Sequence, residues 1–287
     1  MADLRVVTWN VRAAIGPGEP FPPAWWRHVD EDRLERIAAF IAALDADVVT
    51  LQEVTIMNVD GLVHDQPAAL AARLRRHVRY GAAHAYPLVD PATGATIGSA
   101  MWGNAILTRG ATLDEAMRGL PQPADSDVIE PAGSDDPAAG VAYGDAEPGH
   151  REPRCALAAT VDGLRIVTTH LAYIGAEQRR RQVEAVQSLA DGTNDATPPD
   201  DAPSAIVVTG DFNAAVESSE MGALRGAFHD AFERVGTPPG DPRRRSCGPL
   251  RIDHVFVRGL DVRGCRVATE AGELSDHWPV VVDLARP

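Results

Sequence analysis

The chain contains no lysine; all 27 of its basic residues are arginine. Acidic residues number 41, which leaves a formal charge of −14. A surface that tracks nucleic-acid phosphates needs a basic face, because affinity for that backbone comes largely from neutralised phosphates. The balance disfavours non-specific DNA binding and leaves room only for a local arginine patch. Cysteine is scarce: Cys155, Cys247 and Cys265 are widely scattered, match no zinc spacing, and read as inert thiols in a reducing cytoplasm. No apolar run approaches the roughly 20 residues of a membrane helix. The start of the chain shows no signal-peptide pattern, since Asp3 and Arg5 lead straight into a core-like strand. The expectation is a cytoplasmic protein without membrane insertion.

What is present is ordinary for a globular protein: 287 residues, 45% hydrophobic and 24% charged, enough for a sizeable core. That length suits two domains or one large α/β domain. Leu4-Arg5-Val6-Val7-Thr8-Trp9 reads as a strand ending at Asn10. Leu34, Ile37, Ile41 and Leu44 recur at helical spacing behind a capping-box pattern at Asp32 and Glu35, so residues 32–45 are an amphipathic helix. Val48-Val49-Thr50-Leu51 is the next buried strand, and it ends at Gln52-Glu53. Strand, helix, strand is a crossover unit that makes the two strands parallel and brings Asn10 and Glu53 to one sheet edge. Leu70, Leu74 and Val78 extend a second helix over residues 66–78. The loop at 14–30 carries Trp25 and Trp26, which either anchor it to the body or wall a binding site. Residues 110–150 are rich in Pro, Gly, Asp and Ala and read as a long acidic surface insertion.

Polar chemistry gathers at strand ends. Ala205-Ile206-Val207-Val208 runs into Thr209-Gly210-Asp211-Phe212-Asn213. Residues i and i+2 of extended chain point the same way, so Asp211 and Asn213 project side by side with Phe212 turned to the core. The pair can accept a proton from water or hold a charged oxygen; it can also simply close the strand as an Asx turn. Cys155–Val161 and Leu164–Thr169 flank Asp162-Gly163, a strong hairpin signal. Arg154 enters this hairpin as a candidate phosphate clamp, since guanidinium matches phosphate geometry, and His170 leaves it as a candidate donor to an anion. A helix at 176–190 buries Val183, Val186 and Leu189 and turns Arg179-Arg180-Arg181 outward. Arg243 to Arg245 lie in a loop (236–248) close to these motifs. Asn104 opens another strand. Alternation in the strand Arg251 to Val257 sends Asp253 and His254 to opposite faces, and Asp276-His277 precedes the last strand.

These motifs, in this order, resemble the endonuclease/exonuclease/phosphatase superfamily, of deoxyribonuclease I-like fold. The resemblance rests on Thr8-Trp9-Asn10-Val11, Leu51-Gln52-Glu53-Val54, Gly103-Asn104, Thr169-His170-Leu171, Gly210-Asp211-Phe212-Asn213, Ile252-Asp253-His254 and Ser275-Asp276-His277-Trp278-Pro279. It implies a single α/β domain over 1–287, a four-layer α/β sandwich in which two mixed β-sheets pack face to face with flanking helices. It also implies magnesium, or manganese in its place, held by Glu53 with Asn10 and Asp276. Magnesium keeps several waters and needs few carboxylates. The resemblance gives Asp211 the attacking water and Asn213 the phosphate or the metal. It sets His277, held by Asp253, at a phosphate oxygen or as base, and His170, Asn104 and Arg154 at the charge of the transition state. Arg12 stands where several branches carry an acidic residue, and contacts phosphate or pairs with a nearby carboxylate.

The expected function is a divalent-metal-dependent phosphoester hydrolase, monomeric, acting on a small or lipid phosphoester, with nucleic acid disfavoured by charge. The alternative is a nuclease or a tyrosyl-DNA phosphodiesterase-like end-processing enzyme. An inactive binding module on the same fold is the reading from another class; it would be supported by loss of Glu53, Asp211 or His277, and all three are present.

Overall fold

Alternation in the first strand sorts side chains into two populations. Val7 and Trp9 pack outward with helix residues. Val6 joins an apolar cluster with residues of a second sheet, Asn10 reaches that sheet at Asp211, and Thr8 bonds to Gln52 of its own sheet. The computed structural model describes residues 3–18, 25–122, 153–192 and 203–285. In chain order the strands are β1 (Asp3–Asn10), β2 (Val48–Val59), β3 (Leu62–Asp65), β4 (His77–Val89), β5 (Thr96–Thr108), β6 (Leu113–Gly119), β7 (Cys155–Val161), β8 (Leu164–His170), β9 (Ala205–Asp211), β10 (His229–Asp230), β11 (Asp253–Arg258), β12 (Asp261–Val267) and β13 (Val280–Ala285). The helices are α1 (Glu31–Leu44), α2 (Gln66–Leu74), α3 (Ala176–Ala190), α4 (Gly222–Ala227) and α5 (Ala231–Arg234).

One sheet has the order β12-β13-β1-β2-β5-β4, with β3 on β2; the other runs β10-β11-β9-β8-β7-β6. Both are mixed. In each, one parallel pair, β1–β2 or β8–β9, sits among antiparallel neighbours. Each pair is joined by a helical crossover, α1 or α3, because parallel strands need a connection longer than a hairpin. Val6, Val48, Ile166, Val207 and Val282 fill the space between the sheets. Leu34, Ile37 and Ile41 of α1 cover one outer face, and Val183 and Val186 of α3 cover the other. The result is the four-layer sandwich expected from the motifs.

Toward one end the layer between the sheets turns polar. Gln52 Nε2 donates to Thr8 Oγ1 (3.1 Å) on its own sheet and Thr168 Oγ1 (2.9 Å) on the other. Thr50 and Thr209 hydroxyls meet at 2.8 Å. Each such bond contributes about 1 kcal/mol net, and orphaning one partner costs more. These bonds fix how the two sheets face each other just beneath the rim where both parallel pairs end.

Several local readings change. Asp30, not Asp32, caps α1, accepting from the Arg33 amide. α2 stops at Leu74 because Arg75 takes a left-handed backbone (φ 54°), and Val78 lies in β4 instead. Residues 113–119 of the expected insertion form β6, the edge strand of the second sheet; the stretch 123–152 lies outside the described residues. Arg179 points inward, buried against Glu220 at 3.0 Å, while Arg180 and Arg181 are exposed. Leu224, Phe228 and Phe232, although spaced as on one helix, are divided between α4, a break at Phe228 and α5. The Trp25 ring sits edge-on to Trp102 (4.9 Å, 87°) and anchors its loop. Among the described residues no helix is long and apolar enough to cross a membrane.

Candidate active site

Two backbone devices aim the site residues. In β2 a bulge sets Gln52 and Glu53 opposite the single residue Asn104 of β5. Glu53 there has φ 55°, an unfavourable conformation for a glutamate that persists only where surrounding structure enforces it. The bulge turns Glu53 onto the rim beside Asn10. Gly103, next to Asn104, has no alternative: a Cβ there would lie 2.0 Å from the Gly81 carbonyl oxygen. In β9, Gly210 has φ 140°, and a Cβ would lie 2.0 Å from the Thr169 oxygen. That close approach keeps β8 and β9 in register, His170 opposite Asp211.

The C-terminal ends of the two parallel pairs meet across the sandwich. Asn10 accepts the Arg12 amide at its Oδ1 (3.0 Å), so its Nδ2 faces the carboxylates, 2.9 Å from Glu53 and 3.1 Å from Asp211. Asp211 is buried, with only 2% of its side chain exposed, and its Oδ2 also faces His170 Nε2 at 3.4 Å and His277 Nε2 at 3.7 Å. Asp253, opposite Asp211 on β11, accepts from His277 Nδ1 at 2.8 Å. His254 turns the other way and reaches the Ala214 carbonyl at 2.8 Å. Asn213 places its Nδ2 on His170 Nε2 (3.1 Å) and the Leu171 carbonyl (2.9 Å). This satisfies His170 with its proton on Nδ1, toward Glu53 Oε1 at 3.8 Å.

The expected residues thus converge, with three adjustments. Asn213 orients His170 with its amide hydrogens. Arg12 pairs with Asp276 at 3.2 Å, the carboxylate partner being one of the two roles open to it. Asn104 donates to the Cys155 carbonyl at 3.0 Å, next to Arg154. Supporting residues to which the sequence reading gave no role also appear: Trp9 and Ser275 lie inside the motifs, and Ser246 lies outside them. Ser275 Oγ donates to the Asn10 carbonyl (2.8 Å), Trp9 Nε1 to the His277 carbonyl (2.8 Å), and the Asp253 amide to Ser246 Oγ (3.1 Å). Of the arginine run at 243–245, Arg243 is taken up by Asp241 and Arg244 is buried against Asp230.

Burial and charge divide the titratable groups into distinct roles. For His277, burial opposes ionisation, but the charges of Asp253 and Asp211 and the hydrogen bond to Asp253 outweigh it and hold the imidazole protonated, well above its ordinary range. Burial and then the Asp253 charge raise Asp211, against the pull of His277 and the Asn10 bond. Burial, then the charges of Arg154 and His277, keep His170 neutral. Burial and the neighbouring Asp276 raise Glu53.

Two donor sets could hold a cation. Asp211, Asp253 and His277 offer ligand atoms within 4.8 Å of one another. There, however, His277 is already the counter-charge and spends Nδ1 on Asp253, an arrangement built for a proton. Glu53 and Asp276 bring two carboxylates, and two like charges, close together; the Asn10 oxygen, which here accepts the Arg12 amide, would join them only with its amide turned over. Glu53 keeps 18% of its side chain exposed, which leaves a path for a hydrated ion. This second set fits a hard divalent cation that retains water.

Two mixed sheets with helices outside, carrying their polar cluster where the parallel pairs end, define the sandwich of the deoxyribonuclease I-like class. The chain belongs to the Endonuclease/Exonuclease/phosphatase family, whose model matches residues 7–277. Members of this family hydrolyse phosphoesters. Among solved structures, an endonuclease/exonuclease/phosphatase from Beutenbergia cavernae is 26% identical with TM-score 0.65, covering 99% of this chain and 72% of its own. A mannosyl-6-phosphatase from Bacteroides thetaiotaomicron is 20% identical with TM-score 0.56, covering 98% and 99%. D. rerio TDP2 complexed with single strand DNA product is 16% identical with TM-score 0.55, covering 99% and 100%. No curated protein matches the chain in sequence.

Proposed function

We propose that the protein is a divalent-metal-dependent hydrolase of small or lipid phosphoesters. The observation that carries this reading is the buried Asp211, in contact range of His277 and His170 and bonded to Asn10, at the rim shared by both sheets. A raised carboxylate is a competent base near neutral pH, and a protonated histidine 3.7 Å away is its complementary acid. In this reading Asp211 takes a proton from the attacking water as its oxygen bonds to phosphorus. The ester P–O bond breaks, and His277 gives its proton to the departing oxygen. Proton return from Asp211 to His277 restores the starting state. Asp253 keeps the imidazole oriented and charged throughout. His170, as a neutral N–H donor, and Arg154 serve the phosphoryl oxygens. Glu53, Asp276 and Asn10 would hold magnesium or manganese, which supplies neutralisation of phosphoryl charge.

The preference for a small or lipid ester rests on charge. Beyond the net −14, several arginines that a nucleic-acid groove would recruit are already engaged: Arg12 by Asp276, Arg243 by Asp241 and Arg244 by Asp230. The test is a panel assayed with magnesium or manganese and with chelator. It would contain p-nitrophenyl phosphate, bis-p-nitrophenyl phosphate, a phospholipid, plasmid and single-stranded DNA, and a 5′-tyrosyl oligonucleotide, with Asp211→Asn as control. Metal-dependent turnover of the small or lipid esters alone is expected. Efficient cleavage of the DNA substrates, lost in Asp211→Asn, would replace this reading with the nuclease one. No turnover at all would favour a binding module.

A further inference from the structure

Away from the catalytic rim, a cavity of about 360 Å³ opens beside β2. Its nearest strand residue, Met57, lies four positions beyond Glu53, roughly 13 Å along the strand. The catalytic cluster contributes no residue to it. Its volume falls within the range of small-molecule sites. Trp26, Val29, Met57 and Ile97 give it an apolar floor. Charged groups form its rim: Glu31 beside His64 (3.5 Å), Arg27 beside Asp90 (3.3 Å), and Asp60 at the β2–β3 turn. The rim holds three carboxylates against one guanidinium, so it favours a positive guest.

A second, independent feature asks for a ligand. Trp26 is 9% exposed and stands edge-on to Trp25 (6.3 Å, 83°), yet its buried indole N–H has no hydrogen-bond partner. A buried donor left unpaired carries a desolvation cost that a guest acceptor would remove. The indole ring also offers a π-face to a cation. Trp25 anchors its loop in the core; Trp26 walls the cavity.

We infer that this cavity is a binding site for an organic cation, an ammonium group on an apolar body that also carries a hydrogen-bond acceptor such as a hydroxyl. The apolar body covers Met57 and Ile97, the acceptor meets the Trp26 indole N–H, and the ammonium sits among Glu31, Asp60 and Asp90. The inference stands on the cavity itself and is independent of the hydrolytic reading.

Isothermal titration of the full chain with 2-amino-1-phenylethanol, and with phenylacetate as a probe of similar size and opposite charge, tests it. The cation should bind at least tenfold more tightly, and 0.5 M salt should weaken it, since partly exposed charges are screened. Asp60→Asn should weaken the cation about threefold to tenfold. Asp60 has φ 50°, a conformation asparagine tolerates well, so the turn survives the change. Trp26→Phe should weaken it by a similar factor, and Asp60→Asn should hydrolyse phosphoesters at the wild-type rate. Equal binding of phenylacetate, no binding of either probe at millimolar concentration, or unchanged affinity in Asp60→Asn would overturn the inference.

Discussion

Replacing Asp253 with asparagine separates catalysis from stability. The wild-type carboxylate accepts from His277 Nδ1 at 2.8 Å, and its other oxygen is buried with no partner. An asparagine oxygen can still accept that N–H, and the Asp253 backbone bond to Ser246 is untouched. What disappears is the negative charge that, with Asp211, holds His277 protonated. Loss of general acid–base action of this kind costs about 10²- to 10⁴-fold in rate, or roughly 2.7 to 5.4 kcal/mol at 1.36 kcal/mol per decade. Stability should move the other way. Two carboxylates and one imidazole lie buried within 4.8 Å, so removing one carboxylate relieves its like-charge repulsion with Asp211. The expected result is a kcat at least 100-fold lower with a Tm equal to or above wild type. The assays are metal-dependent hydrolysis of bis-p-nitrophenyl phosphate and thermal denaturation of the same samples. Activity within tenfold of wild type would refute the role of Asp253, and so would parallel loss of activity and more than about 6 °C of Tm, where 1 kcal/mol corresponds to roughly 2–4 °C.

Three further outcomes follow from the geometry. Gly210→Ala would set a methyl 2.0 Å from the Thr169 oxygen at φ 140°, and should cost at least about 2 kcal/mol in urea denaturation by strain and register loss. Arg179→Met should destabilise by about 3–5 kcal/mol because it strands Glu220 in the interior, whereas Arg180→Met should stay within about 0.5 kcal/mol; equal effects would refute the inward placement of Arg179. Burial pushes the Cys155 thiol up to about 11, so it should resist a thiol reagent at pH 8 in the native protein and label promptly in denaturant. Its thiolate population should rise only as pH approaches that value.

The fold was legible wherever strand and helix periods were clean. Val6 and Val7 alternate between two faces, and Ile37 and Ile41 lie one turn apart, so the first crossover unit, β1–α1–β2, could be read directly. The site was legible because Asn10, His170 and Asp211 end β1, β8 and β9, and the parallel pairing of β1 with β2 and of β8 with β9 brings those ends to one rim. What escaped depends on context that a linear pattern does not carry. Val78 keeps helical spacing from Leu74, but the left-handed Arg75 interrupts the helix before it. β6 hides in a polar stretch because an edge strand with exposed Leu113 and Met117 needs no clean alternation. Arg179 resembles its neighbours until Glu220, 41 positions away, claims it. The amide orientation of Asn10 and the bulge at Glu53 are set by partners on other strands.

The proposed hydrolysis requires a divalent cation anchored by Glu53. The most direct test of that requirement is the rate of bis-p-nitrophenyl phosphate hydrolysis as a function of magnesium and manganese concentration, for wild type and Glu53→Gln. The amide keeps the size and most of the hydrogen bonding of Glu53 and removes its charge. Saturable metal activation, abolished by chelator and shifted by at least tenfold or lost in Glu53→Gln, is the predicted result. Metal-independent hydrolysis, or an identical metal dependence in the variant, would contradict the account.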